Sequence, residues 1–292
     1  MTRRGTVLFV AMCGIWGLPY LLIKVAVRDL HPATLVFCRT AIGSVILVPI
    51  AAVRGELRPL LARWKPLVAY TVVELGIPWV LLSTAEERLP SSLSGLLVAA
   101  VPLVGAVLAR SLAERDPLGG RGVAGLLVGL AGVGALVGFD VSGADAGSVA
   151  IVAFVVVGYA VGPLILAHRL GDLPSLGVVA GSLVLCSVAY APFALTHLPG
   201  RTPNGRVIAS VAVLGVVCTA TAFVVFFHLI AEIGPVRATV ITYVNPAVAV
   251  VLGVVFLHEG FGFATAAGFA LILFGSYLAT STGRARVAVG EP

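Results

Sequence analysis

Two blocks half a chain apart carry the same landmarks in the same order. Leu89-Pro90, Pro102, Glu114, Gly125 and Gly132 are matched by Gly234-Pro235, Pro246, Glu259, Gly268 and Gly275, at offsets of 143 to 145 in a chain of 292 residues. Pro19 and Pro163 add another pair, 144 apart. The chain is therefore a unit written twice. A period this long, in so apolar a chain, points away from solenoids and toward the internal repeats of secondary transporters.

Composition sets the solvent: 59% of residues are hydrophobic and 11% charged, against about 25% charged in soluble domains. Such a chain belongs in a bilayer. Apolar windows of about 20 residues, enough to cross a ~30 Å hydrocarbon core, can be laid down over 6–27, 33–53, 66–85, 91–110, 119–139, 147–168, 174–196, 207–231, 236–257 and 262–281. Barrel strands would alternate apolar and polar residues, whereas Val149 to Val157 and Val248 to Leu257 are continuously apolar. The expected fold is all-α, with a first repeat over 1–140, a second over 146–283 and a short tail over 284–292. The basic start resembles a signal peptide, but Lys24 stands where a cleavage region would be small and neutral, so a retained first helix is expected.

Lys and Arg fall unevenly in the turns. Of the 19, Arg28, Arg88, Arg201 and Arg206 lie in one alternate set, Lys24 and Arg39 lie within spans, and all the others fall in the opposite set. By the positive-inside rule both termini are cytoplasmic, which requires an even number of crossings and fits a multi-pass protein of the cell membrane. The net charge of +6 follows from this topology and does not indicate a nucleic-acid partner. Five crossings per half make the repeats inverted, a plan in which a midplane site between the halves is exposed alternately to each side. A secondary carrier is the leading expectation, and a passive facilitator or exchanger of the same fold is the alternative. No GxxxxGK[ST], HExxH or GxSxG motif occurs, so neither an enzyme nor an ATP-driven pump is expected. No cofactor is expected either, and energy would come from an ion gradient, protons included, from exchange, or from the substrate's own gradient.

Ile15-Trp16-Gly17-Leu18-Pro19 with Lys24, Arg39, Pro102 with Glu114, and Asn245-Pro246 with Glu259 together resemble the EamA-type branch of the drug/metabolite transporter superfamily over nearly the whole chain. The resemblance implies a ten-helix inner-membrane carrier, usually an exporter of amino acids, other metabolites or drugs. Four-helix members of that superfamily carry an essential glutamate in the first helix, and this chain has none between Arg4 and Arg28. Its phosphate-sugar antiporters use lysines in the last two helices, and residues 236–281 hold no Lys.

Glu74 falls near mid-bilayer, where an ionisable group costs at least ~2.5 kcal/mol and marks a functional candidate. It reads as a coupling carboxylate or a counter-ion to an amine, or else as a structural partner of Arg39. Arg39 is deep in the second span and reads as a carboxylate clamp or as that same partner. Together they suit a zwitterionic small molecule such as an amino acid. Trp16 and Trp79 are candidate pocket walls, and Tyr70, Tyr159 and Tyr243 candidate lining groups. Thr239, Thr242 and Asn245 place polar groups on one face before Pro246, either to bind substrate or to bond between helices. Pro19, Pro78, Pro102, Pro163 and Pro246 are expected kinks, because each removes a backbone donor within a span.

Other features read as scaffold. Lys24, one turn from Arg28, is expected to snorkel. Glu114 and Glu259 are expected to cap helices or pair with bases, and His228 with Glu232 to pair at i,i+4. Gly122, Gly125, Gly129 and Gly132 form a small-residue face for close helix packing, within or between subunits. Cys13, Cys38, Cys186 and Cys218 are unpaired in spacing and read as small buried residues, with no metal site. Oligomeric state is left open, and a monomer would suffice.

Overall fold

A computed structural model describes residues 2–112, 120–140, 145–234, 238 and 241–281. Glu114, Pro235 and Thr239 lie outside the described residues. Within them every regular element is helical, as expected where the bilayer offers the backbone no hydrogen bonds. Ten spans follow in chain order. They are α1 (Arg3–Ala26), α2 (Pro32–Val53), α3 (Arg58–Glu86), α4 (Ser91–Val98 and Val101–Leu112), α5 (Gly120–Asp140), α6 (Ala146–Arg169), α7 (Ser175–Thr196), α8 (Gly205–Ile233), α9 (Ile241–Leu257) and α10 (Phe263–Ser281). The protein is a ten-helix membrane protein built from two repeats.

The helices are apolar all round because protein faces one side and lipid the other. On α2, Leu47 is fully buried while Val45, two residues away, is 76% exposed. Lipid is as apolar as leucine, so close packing and polar ties must hold the bundle together. The packing shows the duplication directly. α2 packs on α7, α4 on α9 and α5 on α10, each helix against its own repeat mate. The remaining large interfaces exchange under the same operation: α1–α8 corresponds to α3–α6, and α1–α9 to α4–α6.

The glycine pairs of the repeat meet each other at α5–α10. A Cβ on Gly132 would lie 2.7 Å from both the Gly268 carbonyl oxygen and the Ile272 nitrogen, and one on Gly275 would strike the Gly129 backbone. Backbone meets backbone here, as small residues allow.

Polar contacts sort the turns into two ends. At the end bearing the N-terminus, Thr2 caps α1 and its hydroxyl also donates to Glu232 Oε1 at 2.5 Å. The expected His228–Glu232 pair is thus replaced by a tie from α1 to α8, across the halves. Arg63 pairs with Asp172 at 3.2 Å, and the Gly177 N–H donates to Glu56 Oε2 at 3.1 Å. At the far end Glu259 accepts from the Ser91 and Ser92 N–H groups at 2.7 and 2.9 Å. The glutamate caps a helix, as its sequence position suggested, but the helix is α4 of the other half.

Also at the far end, Arg88 pairs with Asp145 at 2.7 Å while Asp145 caps α6 through Gly147 and Ser148. The hydrogen bond from Arg88, ahead of those from Ser148 and Gly147, holds the Asp145 carboxyl below its usual range. A depressed acid adds stability above its unfolded pKa of about 3.9, and that stability is lost as pH falls through the lower folded value. The thermal midpoint in detergent is therefore expected to fall more below about pH 4 in the wild type than in Asp145→Asn.

The proline kinks are only partly realised. α1 stops at Gly17 and restarts at Pro19, and α4 is interrupted between Val98 and Val101, just before Pro102. α6 and α9, in contrast, run unbroken through Pro163 and Pro246. In α6 the reason is local: Gly158 and Gly162 seat α3, with the Val73 carbonyl and Pro78 ring against Gly158. A helix held closely against its neighbour through the turn before its proline loses one hydrogen bond without breaking.

Candidate functional site

The site is built on two π-helical turns that sequence reading did not anticipate. Thr71–Gly76 in α3 and Val216–Thr221 in α8 each widen the helix over six residues, 145 apart. Such turns leave carbonyls needing other donors and recur at functional positions. In α3 the Gly76 carbonyl accepts from the Tyr190 hydroxyl of α7 at 3.0 Å. In α8 the Leu214 carbonyl accepts from the Thr219 hydroxyl at 2.8 Å.

Repeat mates Glu74 and Thr219 occupy the same place in these two turns. Thr219 is fully buried and receives Arg39 Nε at 2.8 Å. Arg39 itself is 8% exposed, and its guanidinium carbon lies 3.7 Å from the Trp79 ring centroid. That stacking suits a weakly hydrated planar cation in a desolvated place. No hydrogen bond joins either Nη group to a described residue. Tyr20, Tyr159 and Cys218 are its nearest other titratable neighbours, so α1, α2, α3, α6 and α8 all reach this layer.

Glu74 is not the partner of Arg39. It faces α6 instead, where its carboxyl lies against Gly162 in a space that any side chain there would fill. Its Oε2 is buried without a hydrogen-bond partner among the described residues. The structural-pair reading of the two residues therefore gives way: among the described residues no carboxylate pairs with Arg39, and its neighbours are an indole and a hydroxyl. Tyr70 is buried one turn before Glu74 and adjoins it. Tyr159 touches both large core clusters and stands between Glu74 and Arg39 as an electrostatic neighbour of each.

Several candidates sit elsewhere. Trp16 packs on α8, 4.7 Å from the Phe226 ring and 5.9 Å from that of Phe223, among Met12, Cys13 and Leu229. In the orientation that satisfies its amide, Asn245 Nδ2 donates to Ile241 O at 3.0 Å and Cys13 O at 3.3 Å, joining α9 to α1. Thr242 and Tyr243 lie in the first turn of α9. Lys24 does not snorkel freely: its Nζ donates to the carbonyls of Glu86 at 2.6 Å and Leu89 at 2.9 Å. Glu86, which in sequence only marks the end of a span, is fully buried with neither carboxyl oxygen bonded among the described residues.

The sequence pattern of the EamA-like transporter family matches residues 3–138 and again 147–281. The chain belongs to the EamA-like transporter family. An "Uncharacterized transporter" of Archaeoglobus fulgidus is 23% identical over 266 residues, covering 90% of this chain and 94% of that one. The "Uncharacterized inner membrane transporter YedA" of Escherichia coli K12 is 26% identical over 250 residues, covering 82% of this chain and 78% of its own. A solved crystal structure superposes with a TM-score of 0.68 at 24% identity, over 96% of this chain and 97% of that one, and so shares the fold. An EamA-family transporter in the membrane is thus established. The two matched segments are the two halves already seen in the packing.

Proposed function

We propose that this transporter is a secondary exporter of small zwitterionic metabolites, amino acids among them, working by alternating access at a midplane site between its repeats. One observation carries the reading: the buried Arg39 guanidinium is fixed by its flat face on the Trp79 ring and by Nε on Thr219, leaving both Nη groups without a hydrogen-bond partner among the described residues. A guanidinium held this way presents two parallel donors to a planar carboxylate. Glu74, on the neighbouring π turn with one oxygen unpartnered, supplies an acceptor for a substrate amine or for a coupling proton. The residues come from both halves, as a site opened alternately by their rocking requires. Export is the direction suggested by the family resemblance, and the excess of Lys and Arg at the N-terminal end supports a cytoplasmic position for that end.

Counterflow in proteoliposomes against amino acids, cationic drugs and organic acids tests the substrate class. Exchange of at least one amino acid is the expected result, and no response to any of them would sink the zwitterion reading. Coupling is tested separately. Glu74→Gln is expected to flatten the dependence of transport on pH, and an unchanged rate and profile would remove Glu74 from that role. Wild-type uptake that an uncoupler leaves untouched would point to a facilitator or exchanger.

A further inference from the structure

We propose that Lys24 and Glu86 form the gate of the outer end: Lys24 holds that end shut by gripping the last carbonyls of α3, and the Glu86 carboxylate receives the ammonium when the end opens. The proposal rests on the alternating-access reading and names the residues that move.

The closed state is explicit. Lys24 Nζ donates to Glu86 O at 2.6 Å and Leu89 O at 2.9 Å, with Glu87 O at 3.5 Å. Carbonyls at the C-terminal end of a helix lack intrahelical donors and carry the negative end of the dipole, so a lysine there binds by charge and hydrogen bond together. The grip joins the last turn of α1 to the end of α3. Beside it, Glu259 in the turn after α9 holds the first N–H groups of α4. Lys24, Arg28, Arg88, Pro90, Leu257 and Glu259 surround a small cavity of about 190 Å³ between these ties.

Glu86 is the incomplete group. Its side chain is fully buried, and neither oxygen has a hydrogen-bond partner among the described residues. Buried carboxyls are almost always bonded, so each exception calls for a reason. Lys24 is the cation beside it, with Glu259, Tyr20 and Tyr159 the other titratable groups around it. In this conformation the ammonium is spent on backbone carbonyls, one of them that of the very residue whose carboxyl lacks a donor. A short shift of Nζ from the Leu89 carbonyl to the Glu86 carboxyl completes the pair without stripping the lysine of partners.

The means of that shift is in α1. The helix stops at Gly17 and restarts as Pro19–Ala26, with Leu18 between the two segments. Proline supplies no N–H across the break, so the second segment can swing as a unit. Lys24 lies in its last turn.

The test uses the full-length chain in proteoliposomes, with Cys13, Cys38, Cys186 and Cys218 replaced by Ala and Leu257→Cys added as a reporter in the outer cavity. Labelling by a membrane-impermeant maleimide reads how often that end is open. Lys24→Ala removes the grip, and labelling is expected to speed up several-fold. Glu86→Gln removes the ammonium's partner in the open state, and labelling is expected to slow several-fold. Glu86→Asp keeps the charge and is expected to lie between wild type and Glu86→Gln, which separates a gate from packing. Shifts of the same sign for Lys24→Ala and Glu86→Gln, no shift for Glu86→Gln, or an Asp variant as slow as the Gln variant would each overturn the proposal. Labelling needs no known substrate, so a wild type that gives the gate pattern but no counterflow counts against the carrier reading alone.

Discussion

Arg39→Gln is expected to raise the KM for a carboxylate-bearing substrate by roughly 30- to 4,000-fold, because truncating one partner of a buried charged hydrogen-bonded pair costs about 2–5 kcal/mol and each 1.4 kcal/mol is tenfold. Arg39→Lys should recover little of this. Lysine keeps the charge but loses the Nε bond to Thr219, the flat face on Trp79 and the paired Nη donors, all of which depend on the planar fork. Initial rates of counterflow against substrate concentration check this, with size-exclusion profiles showing that the variants fold. Thr219→Val is a milder probe of the same geometry. It leaves the guanidinium charge in place and removes the acceptor that aims it.

The second large effect concerns stability. Gly132→Val and Gly275→Val place side-chain atoms against opposing backbone at the α5–α10 crossing. Overpacking a core costs ~1–3 kcal/mol when side chains can yield. Here the obstacle is main chain, so each substitution is expected to exceed that range and to lower the thermal midpoint in detergent. Gly134→Val in the same helix is the control, since a Cβ at Gly134 meets nothing within 4 Å. Equal losses at Gly132 and Gly134 would show that helix propensity, not the crossing, sets the cost.

The sequence makes the scaffold plain and hides the aim of its side chains. Apolar length and the repeat offset place most spans to within a few residues: 33–53 corresponds to Pro32–Val53, and 207–231 to Gly205–Ile233, while α3 starts eight residues before the expected 66. Arg39, Trp79, Glu74, Tyr70 and Tyr159 stand out because charged and aromatic groups at mid-depth are rare in so apolar a chain. The π turns are invisible to the same reading, since a wider turn inside an unbroken apolar run changes neither composition nor length. Those turns decide where Glu74 points, so its expected pairing with Arg39 could not be judged from depth alone. Thr219 reads in sequence only as the counterpart of Glu74, because one hydroxyl in an apolar helix has no role to show until an arginine from another helix arrives. Position alone suggests a snorkelling Lys24 and gives Glu86 no role, whereas both are committed inside the end of the bundle. The repeat comparison did carry information about chemistry, because Glu74 and Thr219 are the same position in the two copies and differ where the halves must differ.

The most direct measurement compares an amino acid that the protein exchanges with the matching amine that lacks only the carboxylate. Counterflow of both is followed in wild type and in Arg39→Gln. If Arg39 receives the carboxylate, the wild type prefers the amino acid strongly, and Arg39→Gln erases most of that preference by losing the amino acid while sparing the amine. Equal loss of both compounds, or a preference unchanged by the substitution, would contradict the account.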